Sequence, residues 1–317
     1  MEIQLNKMKL LIVHSGNAVQ GDSQRYTFVR EQGESLRALG AEVEYFAVVG
    51  KGAMGYLRNY KRLMEAIKTY QPDLIHAHFG LCGALCVMQT KVPVVITCHN
   101  GETLSKSANI ISSLAVQRAK HTICVAQHIY DKLYLKPKNY TIKPCGIEMT
   151  EVVDKDIAKQ KMGLPKDKYN ILFGGSFSNL RKNVALANAA LDILKRDDIN
   201  LIEMKGFNRE QVTLLYNGCD MLLLPTKSEG SPQVLKEAMA YNCPVVATDV
   251  ADIAYLLEGV SNSYVTSFDP QDVAEKIALA LECGQRTNGR ERILQLGLVN
   301  EQVAKVIKSI YEVIICK

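Results

Sequence analysis

The chain predicts an α/β protein made of two doubly wound, parallel-sheet domains. Its 317 residues are natural for two domains of about 150. Short apolar, β-rich runs alternate with helix-like stretches from end to end. A hydrophobic content of 47% with 22% charge is that of a globular protein with substantial cores.

In the first half the strand candidates are Leu10–Val13, Val43–Val48, Leu74–Ala77, Val92–Thr97, Thr122–Val125 and Tyr140–Ile142. Helical patterns at Ser23–Leu39, Tyr56–Tyr70 and Ala108–Arg118 fall between them. In the second half Asn170–Phe173, Ile199–Met204, Met221–Leu224, Pro244–Ala247 and Ser263–Thr266 read as strands. Their helices are Val184–Lys195, Arg209–Tyr216, Pro232–Tyr241 and Pro270–Cys283, and Asn300–Cys316 is a strongly amphipathic last helix. A linker near Cys145–Lys168 divides the chain into domains 1–148 and 149–299.

No apolar run approaches the 18–20 residues of a membrane span, and the start is too quickly polar for a secretory signal. Nine cysteines without CxxC spacing then read as reduced thiols of a cytoplasmic protein. Cys82 and Cys86 share a spacing, but no second pair accompanies them, so no metal site is expected. Charge is uneven: residues 1–150 carry 18 Lys/Arg against 11 Asp/Glu, and the remainder 20 against 22. The two halves therefore present different surfaces. Gly50–Tyr70 groups Lys51, Arg58, Lys61, Arg62 and Lys68 with tyrosines, a basic face suited to an anionic membrane or simply to solvent.

The most informative stretch is Pro225–Thr248, PTKSEGSPQVLKEAMAYNCPVVAT. Glu229 sits in a Gly-containing loop, and Ser231 is placed to cap a helix with Pro232 at its first position. The next amides, around Gln233 to Leu235, would point out of the helix N-terminus as an anion site. Glu237 follows about 7–8 Å along the axis. A nucleotide sugar fits that order: sugar hydroxyls at Glu229, diphosphate at the helix tip, ribose at Glu237.

The string EGSPQVLKEAMA followed by an apolar strand resembles the donor-site signature of family 4 retaining glycosyltransferases, in its Pro-containing variant. The resemblance implies the GT-B fold, two Rossmann-like domains facing across a cleft, with the last helix, 300–317, packing back on the first domain. It implies a metal-independent transferase that needs no cofactor. That enzyme would move a hexose from a nucleotide-diphosphate sugar, UDP ahead of GDP, to a glycan or lipid-linked acceptor in bacterial surface-polysaccharide assembly. The protein would be cytoplasmic, at most peripheral on the membrane, with no nucleic-acid partner.

Residue by residue, NILFGGSFSNLRKN matches the segment whose cations neutralise the leaving diphosphate. Lys182 stands at the family's Lys, whereas Ser176 stands where its Arg is usual. Either Arg181 substitutes, or Lys182 works with the helix tip and fewer cations. Gly175 would supply a flexible backbone beside them, and Gly16 after the first strand a close approach to the diphosphate. Gly206 and Phe207 are placed to contact the base, and Asp220 to order the turn before a buried strand. Gly230, Ser231, Gln233 and Val234 complete the donor set. In the first half His99 matches the family's histidine over the donor sugar, with Asn100 inserted before Gly101 and Glu102 where an Asp is frequent. His99, Glu229 and Lys182 are thus the catalytic candidates, and Asn17, His78 and Glu102 the acceptor-side ones, with Gln20 and Arg25 as further contacts. His76 and His78 resemble the family's His-x-His, which serves either the acceptor or the strand end. No nucleophile is placed, in keeping with the family's front-side mechanism.

Three other readings remain. A GT-B sugar-nucleotide 2-epimerase would need cleft acids and bases that cannot be assigned. A non-catalytic GT-B-like scaffold would rest on Ser176 alone. A dinucleotide-dependent oxidoreductase lacks its GxGxxG after the first strand.

Overall fold

The computed structural model describes residues 8–16, 27–50 and 52–316. These form two compact units, residues 1–146 with 299–317, and residues 147–298. Each contains one all-parallel sheet.

In the first unit the strands are β1 (Lys9–Ser15), β2 (Glu42–Val48), β3 (Leu74–His78), β4 (Val94–Cys98), β5 (His121–Cys124) and β6 (Tyr140–Ile142), in the order β2-β1-β3-β4-β5-β6. Successive side chains of β1 go to opposite faces, and both faces are core. Leu11 and Val13 join Phe46, Ile75 and Ile96 on one side. Leu10 and Ile12 join Val43, Leu74 and Val95 on the other, where Val303, Ala304, Ile307 and Tyr311 of the last helix, Asn300–Ile315, cover them. That helix also packs on Thr27–Ala38. The helical pattern at Tyr56–Tyr70 is broken into Gly52–Leu57 and Tyr60–Tyr70. Buried Asn59 sits at the break and ties its amide to the carbonyls of Val49 and Gly55 at 2.8 Å each.

The second unit's strands are β7 (Tyr169–Phe173), β8 (Ile199–Glu203), β9 (Met221–Leu224), β10 (Val245–Thr248) and β11 (Ser263–Thr266), ordered β11-β10-β9-β7-β8. Ile171, Phe173, Met221, Leu223 and Val246 pack one face against the helices Val184–Leu194 and Pro270–Cys283. The stretch read as a linker contains a helix, Lys155–Met162, capped by Asp154 and stopped by Gly163 in the left-handed region. It packs on the helix Arg209–Gly218. Asp220 holds it there, 2.6 Å from Lys155 Nζ and 3.4 Å from Lys159 Nζ, while accepting the Asn170 amide at 2.7 Å. Its polar surface pattern hid this helix, because its hold on the unit is an ion pair as much as an apolar face.

Candidate functional site

In the second unit the candidate residues collect at the carboxyl ends of β7, β9 and β10, where parallel sheets bind ligands. After β7 the backbone turns at Gly174-Gly175 and passes through a 3-10 turn, Leu180–Lys182, capped by the Asn179 side chain. Lys182 comes back over Gly175, where a Cβ would lie 2.7 Å from Lys182 Cγ. Gly175 thus leaves room for that side chain. Lys182 Nζ meets Glu229 Oε1 at 2.7 Å, with the two side chains only 13% and 11% exposed. Glu229 is therefore not a lone acid in a loop but half of a largely desolvated ion pair.

The loop itself is strapped to that turn. The Lys227 amide donates to the Arg181 carbonyl at 2.9 Å, and Thr226 Oγ1 lies 3.0 Å from Glu229 Oε1. Thr248, at the end of β10, donates its hydroxyl to the Thr226 carbonyl at 2.6 Å. The Arg181 guanidinium stays on the exposed side of the turn. Ser176 Oγ donates to Glu203 Oε1 at 2.6 Å, joined by the Phe177 amide at 2.8 Å. The serine's hydrogen bond, then the amide's, hold the Glu203 carboxyl below its ordinary range. The position that lacks its arginine is thus occupied by a carboxylate bound to a serine.

The helix expected from Pro232 starts one residue later, at Gln233–Ala240, with Pro232 as its extended N-cap residue. Ser231 does not cap it; its hydroxyl is buried near Asp252 with no hydrogen-bond partner among the described residues. Burial, first, raises the Asp252 carboxyl, opposed by Ser231 and Lys236. The amides of Gln233, Val234 and Leu235 precede the first intrahelical bond, Lys236 N–H to the Pro232 carbonyl. Glu237 is gripped from a second helix: Arg209 Nη1 is 2.6 Å from its Oε1, and the buried Tyr216 hydroxyl donates to its Oε2 at 2.9 Å. A capping box between Asn208 and Gln211 starts that helix and so fixes Arg209 at its first position. Gly206, at φ +81°, and half-buried Phe207 lead into it. Gly230 is buried within the loop.

In the first unit the histidines form one buried string. His76 Nε2 is 2.7 Å from Thr97 Oγ1, and Tyr311 of the last helix places its hydroxyl 2.5 Å from His76 Nδ1. The Gln32 amide nitrogen, which can only donate, also faces Nδ1 at 3.4 Å, so Nδ1 is the acceptor and Nε2 carries the proton toward Thr97. His78 Nδ1 lies 3.0 Å from His99 Nε2, with the rings stacked at 5.2 Å. Phe28 and Phe79 lie against the His99 ring at 5.0 and 4.7 Å. Burial pushes His76 down to about 3 and His78 well below its ordinary value.

Two acceptor-side expectations are corrected here. Glu102 is 1% exposed, and its carboxylate accepts the amides of Gly80 at 2.7 Å, Asn100 at 2.8 Å and His99 at 3.0 Å. It builds the turn that carries His99 and has no surface left for a substrate. His78 is fully buried beneath His99 and supports it. Gly16 is set against β2, donating to the Val48 carbonyl at 2.7 Å, and a Cβ there would lie 3.0 Å from Ala47 Cβ. Asn17, Gln20 and Arg25 lie outside the described residues. Thr226, Thr248, Glu203, Arg209 and Tyr216 carry the site's polar contacts without a spacing signal in the sequence. Only the adjacency of Thr226 to the Glu229 loop could have marked one of them.

Two family models match the chain: Glycosyltransferase Family 4 over residues 28–151 and Glycosyl transferases group 1 over residues 168–283. A Bacillus subtilis protein named for a glycosyltransferase role in teichuronic acid biosynthesis is 25% identical over 264 residues, 71% of this chain and 67% of its own. Among solved structures, sucrose-phosphate synthase from Thermosynechococcus elongatus superposes with a TM-score of 0.77 at 18% identity, covering 98% of this chain and all of that one. Anabaena HepE, in complex with UDP and glucose, does so with a TM-score of 0.71 at 16% identity, covering 95% and 100%. These structural likenesses establish the GT-B fold of two parallel-sheet α/β units. The two family models, which between them span residues 28–151 and 168–283, place this protein in glycosyltransferase family 4.

Proposed function

We propose that the chain is a retaining, metal-independent hexosyltransferase that uses a UDP-sugar and a glycan or lipid-linked acceptor in surface-polysaccharide assembly. The observation that carries the reading is the Lys182–Glu229 pair at the sheet's carboxyl edge, beside a helix N-terminus and with Glu237 farther along that helix. In this reading Lys182 and the Val234-region amides neutralise the diphosphate as it leaves, which supplies the charge stabilisation that a metal would otherwise give. Glu229 then holds sugar hydroxyls, and Glu237, oriented by Arg209 and Tyr216, holds the ribose. His99, fixed by His78 behind it, is the first unit's catalytic candidate. The departing phosphate takes the acceptor's proton on the same face, so configuration is retained. UDP is favoured because Anabaena HepE was solved with it, and the polysaccharide role because of the Bacillus subtilis relative. A cytoplasmic location accords with the absence, among the described residues, of any helix long and apolar enough to cross a membrane.

The test is a thermal-shift screen with UDP- and GDP-sugars, repeated on Glu237→Ala and followed by turnover of labelled donor. At about 100 times its dissociation constant a true donor stabilises by about 2.7 kcal/mol, a shift of a few degrees. A UDP-selective shift lost in Glu237→Ala, with release of UDP and an α-configured product from an α-donor, is the expected result. Binding without turnover in the presence of acceptor extracts would favour a scaffold, and no shift with any nucleotide would end the donor-site reading.

A further inference from the structure

The first unit holds an apolar cavity of about 400 Å³ that none of the donor chemistry uses. Its walls come from the segments that follow β2, β3 and β4: Tyr56 and Leu57, then Leu81, Ala84 and Met88, then Ala108 and neighbours. It therefore lies at the carboxyl edge of the parallel sheet, where such folds bind ligands. Its size is that of a small-molecule pocket. Leu57 and Met88 are 46% and 47% exposed, and Leu104, beside the lining Ser105, is 61% exposed, so the mouth is apolar as well. Apolar side chains around an open apolar cavity are a surface that water leaves readily when a hydrocarbon enters.

Charge identifies the rest of the occupant. The three lining segments, 52–57, 80–88 and 104–118, contain no Asp or Glu at all. Lys106 stands between the lining residues Ser105 and Ser107, and Arg58 directly follows Leu57; both are exposed. The nearby Glu102 carboxylate is consumed by backbone amides. An uncharged hydrocarbon would gain nothing from these two flanking cations, Lys106 and Arg58, whereas an anionic head on a hydrocarbon chain would.

We propose that this cavity takes the hydrocarbon chain of an anionic lipid acceptor, a phosphate-headed acyl or isoprenoid chain, with Lys106 and Arg58 at its head group. This rests on the glycosyl-transfer reading and narrows its acceptor from glycan or lipid to lipid.

Titration calorimetry with a series of monoalkyl phosphates from hexyl to dodecyl, kept below micelle-forming concentration, tests it on the full chain. Each methylene that enters the cavity should tighten binding about fourfold until the space is full. Ala84→Phe and, independently, Ala108→Phe should flatten that series. Lys106→Gln should weaken every phosphate by one common factor and leave the matching alkyl alcohols unchanged. A flat series in the unaltered protein, or an unchanged slope in both filled variants, overturns the proposal. So does binding to anionic vesicles as the sole lipid response, since a surface contact does not read cavity volume. UDP binding, measured in the same samples, keeps the two readings apart. A protein that binds UDP but shows no chain-length dependence retains the transferase and loses the lipid pocket. One that shows the dependence but binds no nucleotide retains the pocket and loses the transferase.

Discussion

Acidification should unfasten the first unit through His76, and the size of the effect follows from its surroundings. The ring is fully buried, its Nδ1 accepts from Tyr311, and its Nε2 proton goes to Thr97. A second proton would have to sit on Nδ1, against a hydroxyl donor and without water. Burial accordingly holds the group at about 3, against 6.5 in the unfolded chain. The folded value is lowered, so the unfolded state binds the extra proton and stability falls as pH falls below 6.5. At pH 5 the loss from this ring alone is about 2 kcal/mol, and its slope is about 1.4 kcal/mol per pH unit between pH 6 and 4. His78 is lowered too and steepens the same decline. Buried Glu102 works the other way: burial raises its carboxyl, so the folded state takes up its proton first, and falling pH relieves that cost. The clean quantity is therefore a difference. Urea unfolding followed by circular dichroism, at half-unit steps from pH 7.5 to 4.5, should show a stability loss across that range smaller by about 2.5 kcal/mol in His76→Gln than in the unaltered protein, nearly all of it below pH 6.5. The substitution also removes pH-independent contacts, which move the curve without tilting it. Parallel curves would refute the argument, because they would mean that His76 is charged, or hydrated, in the folded state.

Lys182→Met should cost the second unit about 3 kcal/mol in urea unfolding, since it strands Glu229 at 11% exposure without its counter-charge. Glu229→Gln should cost less, about 1–2 kcal/mol, because an amide oxygen can still accept from Lys182. Ser176→Arg alone should not tighten UDP binding, as the Glu203 carboxylate that now takes the serine proton would claim the guanidinium; the double variant with Glu203→Gln should bind UDP more tightly than the single one, measured calorimetrically. Tyr216→Phe should weaken UDP more than it lowers the melting temperature, because the lost hydroxyl orients Glu237 and leaves the packed ring in place.

Which features could be read without coordinates follows from which interactions are local. All eleven strands of the described residues and their parallel pairing answer to short apolar runs with helices between, and each run lies within a few residues of its observed strand. The Glu229 loop and the helix after it were legible because Glu229, the helix start and Glu237 are fixed by one continuous stretch of backbone. Their partners were not. Arg209 and Tyr216 reach Glu237 across 28 and 21 residues, and Lys182 reaches Glu229 across 47. Of these only Lys182 could be named, and only through resemblance. The Ser231 cap failed because the helix starts one residue later, with Pro232 itself at the N-cap, a shift of one position that the sequence pattern does not resolve. Glu102 and His78 failed because a polar residue at a strand end carries the same signal whether it faces a substrate or an amide. Only burial separates the two, and burial is a property of the assembled sheet.

The same long-range contacts explain why the second unit's acids are held before any ligand arrives. Glu229 and Glu237 are both mostly buried, each paired with a cation and a hydroxyl, Lys182 with Thr226 and Arg209 with Tyr216. An acid paired in this way keeps its charge and its direction at a cost already met by folding, so a ligand hydroxyl finds an oriented acceptor. The arrangement also sets a competition. A diphosphate that draws Lys182 toward itself weakens the grip on Glu229, and Thr226 then has the larger share in holding that carboxylate in place. Thr226→Val removes this hold while keeping the side chain's shape. It should leave UDP affinity within about twofold, since UDP carries no sugar for Glu229 to hold. Affinity for the intact UDP-sugar should fall by about tenfold or more, the value of one hydrogen bond to a charged group. Equal losses for both ligands would mean that Glu229 does not read the sugar, and the division of labour between the two acids would have to be abandoned.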